Sequence, residues 1–181
     1  MMRRKKRKSY LNYFHKNAAG EYIYSGNYYK YATEEKPRKQ AMIELWILCG
    51  VATAATLMGA CIPVPGLSRY AYVLVPYVAA IITACSLLWS LGQLSAGGDP
   101  LREYVYKVTV KKLPRRTILT GFFSALTVIG EVIYLVLNRS EGKISYAIIF
   151  LVGEIIAVVS AMFARIAFSK LSWSKSENKD D

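Results

Sequence analysis

The chain has 181 residues, 54% of them hydrophobic, and a formal net charge of +12. One water-soluble domain of this length would scatter its apolar residues, but here they gather into four runs, each long enough to cross about 30 Å of hydrocarbon. The Lys and Arg residues are gathered too, all but Arg165 in segments outside those runs, which argues against one continuous nucleic-acid-binding face.

Taken in chain order, residues 1–40 come first. Arg3, Arg4, Lys5, Lys6, Arg7 and Lys8 form a basic block. Beside a membrane, such a block attracts anionic lipid at about 1 kcal/mol per charge, so it is read as a lipid-binding tail. Polar and aromatic residues follow it rather than an apolar core, so no signal peptide is expected. Glu21-Tyr22-Ile23-Tyr24 and Tyr28-Tyr29-Lys30-Tyr31 then flank Ser25-Gly26-Asn27. Gly-Asn between aromatic β-formers is a hairpin signal. With Gly26 and Asn27 as the central turn residues, Tyr24 would lie opposite Tyr29 and Tyr22 opposite Tyr31, all four rings on one face.

The first apolar run, 41–62, is rich in small residues: Gly50 with Ala54 and Ala55 with Gly59 are spaced to let helix backbones approach. The second, 70–91, contains Pro76, which is expected to kink it. Only residues 63–69, with Pro63 and Pro65, connect the two. The connection after the second run, 92–116, is longer and basic. Within it Tyr104, Tyr106, Val108 and Val110 alternate with Lys107, Thr109 and Lys111, a period-two pattern that predicts a strand. Joined to the Tyr22–Tyr31 hairpin, it would complete a small three-stranded sheet. Tyr22, Tyr24, Tyr29, Tyr31, Tyr104 and Tyr106 are therefore the predicted contact surface. A stacking platform for single-stranded nucleic acid is the weaker reading of these tyrosines, and nucleic acid is not expected as a partner.

The third run, 117–137, carries Thr120, Ser124, Thr127, Glu131, Tyr134 and Asn138 at alternating steps of four and three, which places them on one helical face. The fourth, 145–168, carries Glu154 beside Gly153, with Ala157, Ala161 and Ala164 making a small-residue face and Arg165 near its end. A polar stripe must turn from lipid, and an acid at a helix centre costs about 2.5–3.5 kcal/mol on insertion scales. Thr120, Ser124, Thr127, Glu131 and Glu154 are thus the candidate intramembrane polar centre. The two glutamates are expected at similar depth. Residues 169–181 read as a polar tail.

Eleven of the 24 Lys and Arg residues precede the first run and six lie in 92–116, whereas the two remaining connections hold only Arg69, Arg139 and Lys143. By the positive-inside rule the chain is a multi-pass protein of the cell membrane with both termini cytoplasmic. The fold expected is an all-α membrane protein: a four-transmembrane-helix bundle over 41–168 with a small cytoplasmic β-hairpin or three-stranded sheet.

Chemistry is harder to find. Cys49, Cys61 and Cys85 lack CxxC spacing and read as packing residues. His15 has no partner at ligand spacing, so no metal is expected, and no cofactor is either. A P-loop, a paired-His motif and a nucleophile with a base are all missing, so the chain is not expected to be an enzyme. The favoured reading is an accessory or scaffolding subunit packed against another membrane protein or a second copy of itself. The alternative is a small oligomeric transporter or channel in which Glu131 and Glu154 bind a cation or proton.

Overall fold

The computed structural model describes residues 13–16, 20–34, 36–138 and 144–176. It is mostly helical. Four helices are long and apolar enough to cross a membrane: α1 (Arg38–Ala60), α3 (Ala71–Ala96), α5 (Leu113–Leu137) and α6 (Ile144–Ser169). Two short helices, α2 (Pro65–Arg69) and α4 (Glu103–Val108), lie between them. The strands are β1 (Phe14–Lys16), β2 (Tyr22–Tyr24), β3 (Tyr28–Tyr31), β4 (Leu101–Arg102) and β5 (Trp173–Ser176).

Prolines set several starts. Pro37 is the residue before α1, Pro65 opens α2 and Pro114 lies in the first turn of α5, where the absent N–H costs nothing. Pro76 is six residues into α3, and the helix runs on through it. The residues 63–69, read above as a plain connection, thus contain a helical turn.

The four long helices pack in a ring, α1 beside α3, α3 beside α5, α5 beside α6 and α6 beside α1. Their polarity is the reverse of a water-soluble bundle. Outward residues such as Ile47, Val75, Ile82, Val136 and Phe163 are exposed, while Thr53, Thr56, Thr120, Ser124, Thr127, Glu131 and Glu154 are buried. An apolar exterior of this extent suits an apolar medium or a covering partner. Two apolar clusters close the ring: Leu45, Leu87, Leu91, Leu94 and Phe168 near one end, and Val64, Val73, Tyr77 and Phe150 near the other.

Small residues make the contacts close. A Cβ at Gly59 would fall within 2.6 Å of the buried Phe150 ring, and one at Gly153 would meet the Ala55 carbonyl at 3.4 Å. Gly50, by contrast, has nothing within 4 Å of where its Cβ would lie. Of the two spacings expected to bring helices together in α1, the Ala55–Gly59 one meets α6, while Gly50 faces open space.

The strands form two antiparallel sheets. β1 pairs with β2, setting Phe14 opposite Tyr24. β3 is the centre of the other, with β4 and β5 on either side: Tyr28 faces Arg102 and Ser176, and Tyr31 faces Trp173. Segments before α1, between α3 and α5, and after α6 therefore meet at one end of the ring.

This overturns the predicted hairpin. Tyr22–Tyr24 and Tyr28–Tyr31 belong to different sheets, so Tyr24 does not oppose Tyr29, nor Tyr22 oppose Tyr31. A tight two-residue hairpin turn needs positive φ, and among the described residues only Gly20 (φ 85°) and Gly98 (φ 37°) have it. Gly26 serves another purpose: its missing Cβ leaves room for the Tyr24 ring and hydroxyl, which fold back onto it. The predicted strand near Tyr104–Val110 is also corrected, to the two-residue β4 followed by helix α4. Glu103 in the first helical turn and Lys107 four residues on form an ion pair, the i,i+4 arrangement that favours helix over strand.

Candidate functional site

Two groups of residues stand out, one within the ring and one at its sheet-bearing end.

Within the ring, α5 turns its predicted stripe inward from Thr120 to Tyr134, while Asn138, just past the helix, is half-buried. Thr120, Ser124, Thr127 and Glu131 are each 0% exposed, and Glu154 on α6 is 1% exposed. The threonines satisfy themselves, Thr120 donating to the Arg116 carbonyl (3.0 Å) and Thr127 to the Phe123 carbonyl (2.9 Å). Thr53 and Thr56 of α1 do the same. Such back-bonding is the ordinary use of a hydroxyl in a helix interior.

The acids differ. Among the described residues no oxygen of Glu131 or Glu154 has a hydrogen-bond partner within bonding geometry, and neither does the Ser124 hydroxyl, which lies beside Glu154. The near contact of Gly121 with Ala161, 3.5 Å from a Cβ placed on the glycine, sets the register of α5 against α6. Glu131 is ten residues beyond Gly121 and Glu154 seven before Ala161. Their backbones thus differ in depth by about 5 Å, roughly one turn.

Different residues pack beside each. The Glu131 carboxyl packs against Gly66 of α2, so close that a Cβ there would collide with it, and Tyr72 lies near. Glu154 has Ser124 and Tyr77 near it, and the Tyr77 hydroxyl donates to the Thr56 carbonyl (2.8 Å). A buried carboxyl without a partner is stable only as the neutral acid or with a bound positive group. The site can therefore hold a proton or a cation.

At the sheet end the six predicted tyrosines divide into three situations. Tyr24, 7% exposed, packs edge-on against Phe14, Tyr28 and Tyr104. Tyr29 stacks on Tyr106, with ring centroids 4.0 Å and planes 3° apart, while Tyr31 meets Trp173 edge-on at 5.5 Å. Tyr22 is exposed, as is its neighbour Ile23. The rings do not form a single open face.

Three residues that tie this end together were missed by sequence reasoning: Asn27, Glu103 and Lys107. Asn27 donates to Glu103 Oε2 from both its backbone N–H (3.1 Å) and its side-chain Nδ2 (2.9 Å). Lys107 Nζ donates to Glu103 Oε1 at 2.5 Å and to the Tyr13 hydroxyl at 3.0 Å. The Glu103 N–H in turn donates to the Tyr24 hydroxyl (2.8 Å). The Lys107 ammonium holds the Glu103 carboxyl below its usual range, and the two Asn27 bonds add to this. Lys107 is correspondingly raised by Glu103 and then by Tyr13. The Glu-x-x-x-Lys spacing was the available signal. Trp173, in the segment read as a plain tail, was also missed. Arg3, Arg4, Lys5, Lys6, Arg7 and Lys8 lie outside the described residues.

Compared with protein-family models, with curated proteins and with solved structures, the chain matches none. Its class rests on its own geometry: a mostly helical protein with four helices fit to span a membrane and small antiparallel sheets at one end of the ring.

Proposed function

We propose that the chain is a four-span integral protein of the cell membrane, both termini cytoplasmic, which acts as an accessory or scaffolding subunit for a larger membrane protein or a second copy of itself. The observation carrying this reading is the sheet end. Three segments far apart in sequence meet there around β3, and the adjoining β1–β2 ribbon presents Tyr22 and Ile23 to solvent. Ordering those segments costs about 1–2 kcal/mol per residue in backbone entropy, which a rigid docking surface would justify and a set of loose connections would not. The asymmetry of Lys and Arg supports the orientation.

Mild-detergent purification tests it. A stoichiometric larger partner, or a stable homo-oligomer, should be retained by the parent and lost when Tyr22 and Ile23 are both changed to Ser. A monomer with no partner would sink the reading.

The unpartnered acids favour a second reading, a small oligomeric transporter or channel that takes a proton or cation at Glu131 and Glu154. Glu131→Gln and Glu154→Gln keep shape and remove the titrating group. If both variants insert, fold and support the parent's cellular phenotype, the acids are structural.

A further inference from the structure

Clefts between neighbouring helices on the apolar exterior differ in charge among the described residues. The cleft between α3 and α5, about 620 Å³, is walled by residues such as Val75, Pro76, Leu126 and Ile133 and has no charged group. The cleft between α1 and α6, about 520 Å³, carries both Glu44 and Lys170. The cleft between α5 and α6, about 430 Å³, holds a single charged residue, Arg165. Its floor is Gly121 and Ala161, and its walls are Ile118 and Phe122 on one side and Met162 and Ile166 on the other.

Arg165 is half-buried and has neither an ion pair nor a hydrogen bond among the described residues. Glu154 is eleven residues away on the same helix, about 16 Å, beyond the reach of a direct pair. An arginine facing hydrocarbon without a counter-charge is costly, and its long side chain escapes by reaching the headgroup layer. The α5–α6 register places Arg165 level with Thr117, one turn from the sheet end of both helices. Arg115 stands three residues before Ile118 and seven before Phe122, on the same helical face, and is exposed. Two guanidiniums thus mark the sheet end of a groove that is otherwise apolar. Guanidinium binds phosphate with paired N–H donors, and small residues on the floor let an alkyl chain lie deep.

We propose that the α5–α6 cleft binds one anionic phospholipid of the cytoplasmic leaflet, with its phosphate on Arg165 and Arg115 and an acyl chain between Phe122 and Met162. This rests on the membrane placement proposed above. The uncharged α3–α5 cleft offers an acyl chain the same shape without a phosphate handle, so it does not discriminate between lipids.

The test is native mass spectrometry of the full chain, extracted from membranes in mild detergent, delipidated and titrated with phosphatidylglycerol or phosphatidylcholine. The parent should retain one phosphatidylglycerol in preference to phosphatidylcholine. Removing each arginine should lower that occupancy about fivefold, so the double variant R115Q/R165Q loses the preference. R115K/R165K should keep part of it, and Gly121→Leu, which fills the floor without touching charge, should lose the adduct. Equal retention of both lipids by the parent, or an unchanged preference in R115Q/R165Q, overturns the lipid site alone. Recovery of the parent in the soluble fraction would instead overturn the membrane placement.

Discussion

Glu103 and the pair Glu131 and Glu154 are all buried glutamates, yet their surroundings are opposite. Glu103 has Lys107 on one oxygen and two Asn27 donors on the other. Among the described residues the four buried oxygens of Glu131 and Glu154 have no hydrogen-bond partner, and only the Ser124 hydroxyl stands beside Glu154. A carboxylate supplied with donors becomes a fixed part of the architecture, and its charge organises what surrounds it. One left bare in a low-dielectric interior must take up a proton, a cation or a polar group brought by another molecule. The contrast separates an acid held by donors from acids left without them, although all three are the same residue type.

The sharpest way to break the comparison is at the hub of the structural network. Tyr24→Ala removes a buried ring and the hydroxyl that Glu103 reaches, and should cost about 3–5 kcal/mol. The loss should be local: hydrogen exchange should rise in residues 20–34 and 101–108 while α5 and α6 keep their protection. Uniform loss of protection throughout would show that the two regions are not independent.

Next in size is a crowding change in the ring. Gly59→Val pushes a side chain into the buried Phe150 ring and should destabilise by about 1–3 kcal/mol with the sheet end undisturbed. Thermal unfolding in detergent reads this, and Gly50→Val is its control, expected to be neutral because that position faces open space.

Glu103→Ala should cost about 1.5–3 kcal/mol, since it strands donors that now meet a charge. Its effect has a pH signature. Glu103 is held below its ordinary value of 4.5, so its contribution is present at neutral pH and disappears as the pH falls through the lowered value. Lys107 is shifted the other way, so its contribution is complete below its ordinary value of 10.5 and is lost only in more alkaline solution. The sheet end should therefore loosen below about pH 4.5 in the parent, followed by Trp173 fluorescence, and the variant should lack that transition. An identical acid transition in Glu103→Ala would assign it to other groups.

The smallest effect is expected where the acids are bare. Glu154→Gln exchanges an unpartnered acid for a neutral group of equal size and should change stability by less than about 1 kcal/mol at neutral pH. A large loss would mean that the ionised carboxylate has a partner holding it. That result would remove the contrast with Glu103.

Much of the ring was legible in the sequence. Apolar runs of about twenty residues announce helices long enough to span, because the requirement is length and hydropathy and both are local. The inward turn of Thr120, Ser124, Thr127 and Glu131 followed from their four-and-three spacing, because helical periodicity decides a face before any partner is present. The small-residue face of α6 followed in the same way, and Gly153, Ala157, Ala161 and Ala164 are all buried.

The sheet end was decided by tertiary contact. Its strands are two to four residues long, too short for local preference to select a partner. Gly26-Asn27 carries the local signature of a turn, but Asn27 is engaged by Glu103, 76 residues away, and Gly26 gives up its Cβ to the Tyr24 ring. The alternation at 104–110 competed with the Glu103–Lys107 spacing, and the helix prevailed once Asn27 and Tyr13 bound that same ion pair. For the acids the sequence shows Lys107 four residues from Glu103 and no such neighbour for Glu131 or Glu154, while the Asn27 donors that complete the Glu103 site arrive only with the fold. Helical faces are set by neighbours three and four residues away, whereas donors and strand partners arrive from any distance along the chain.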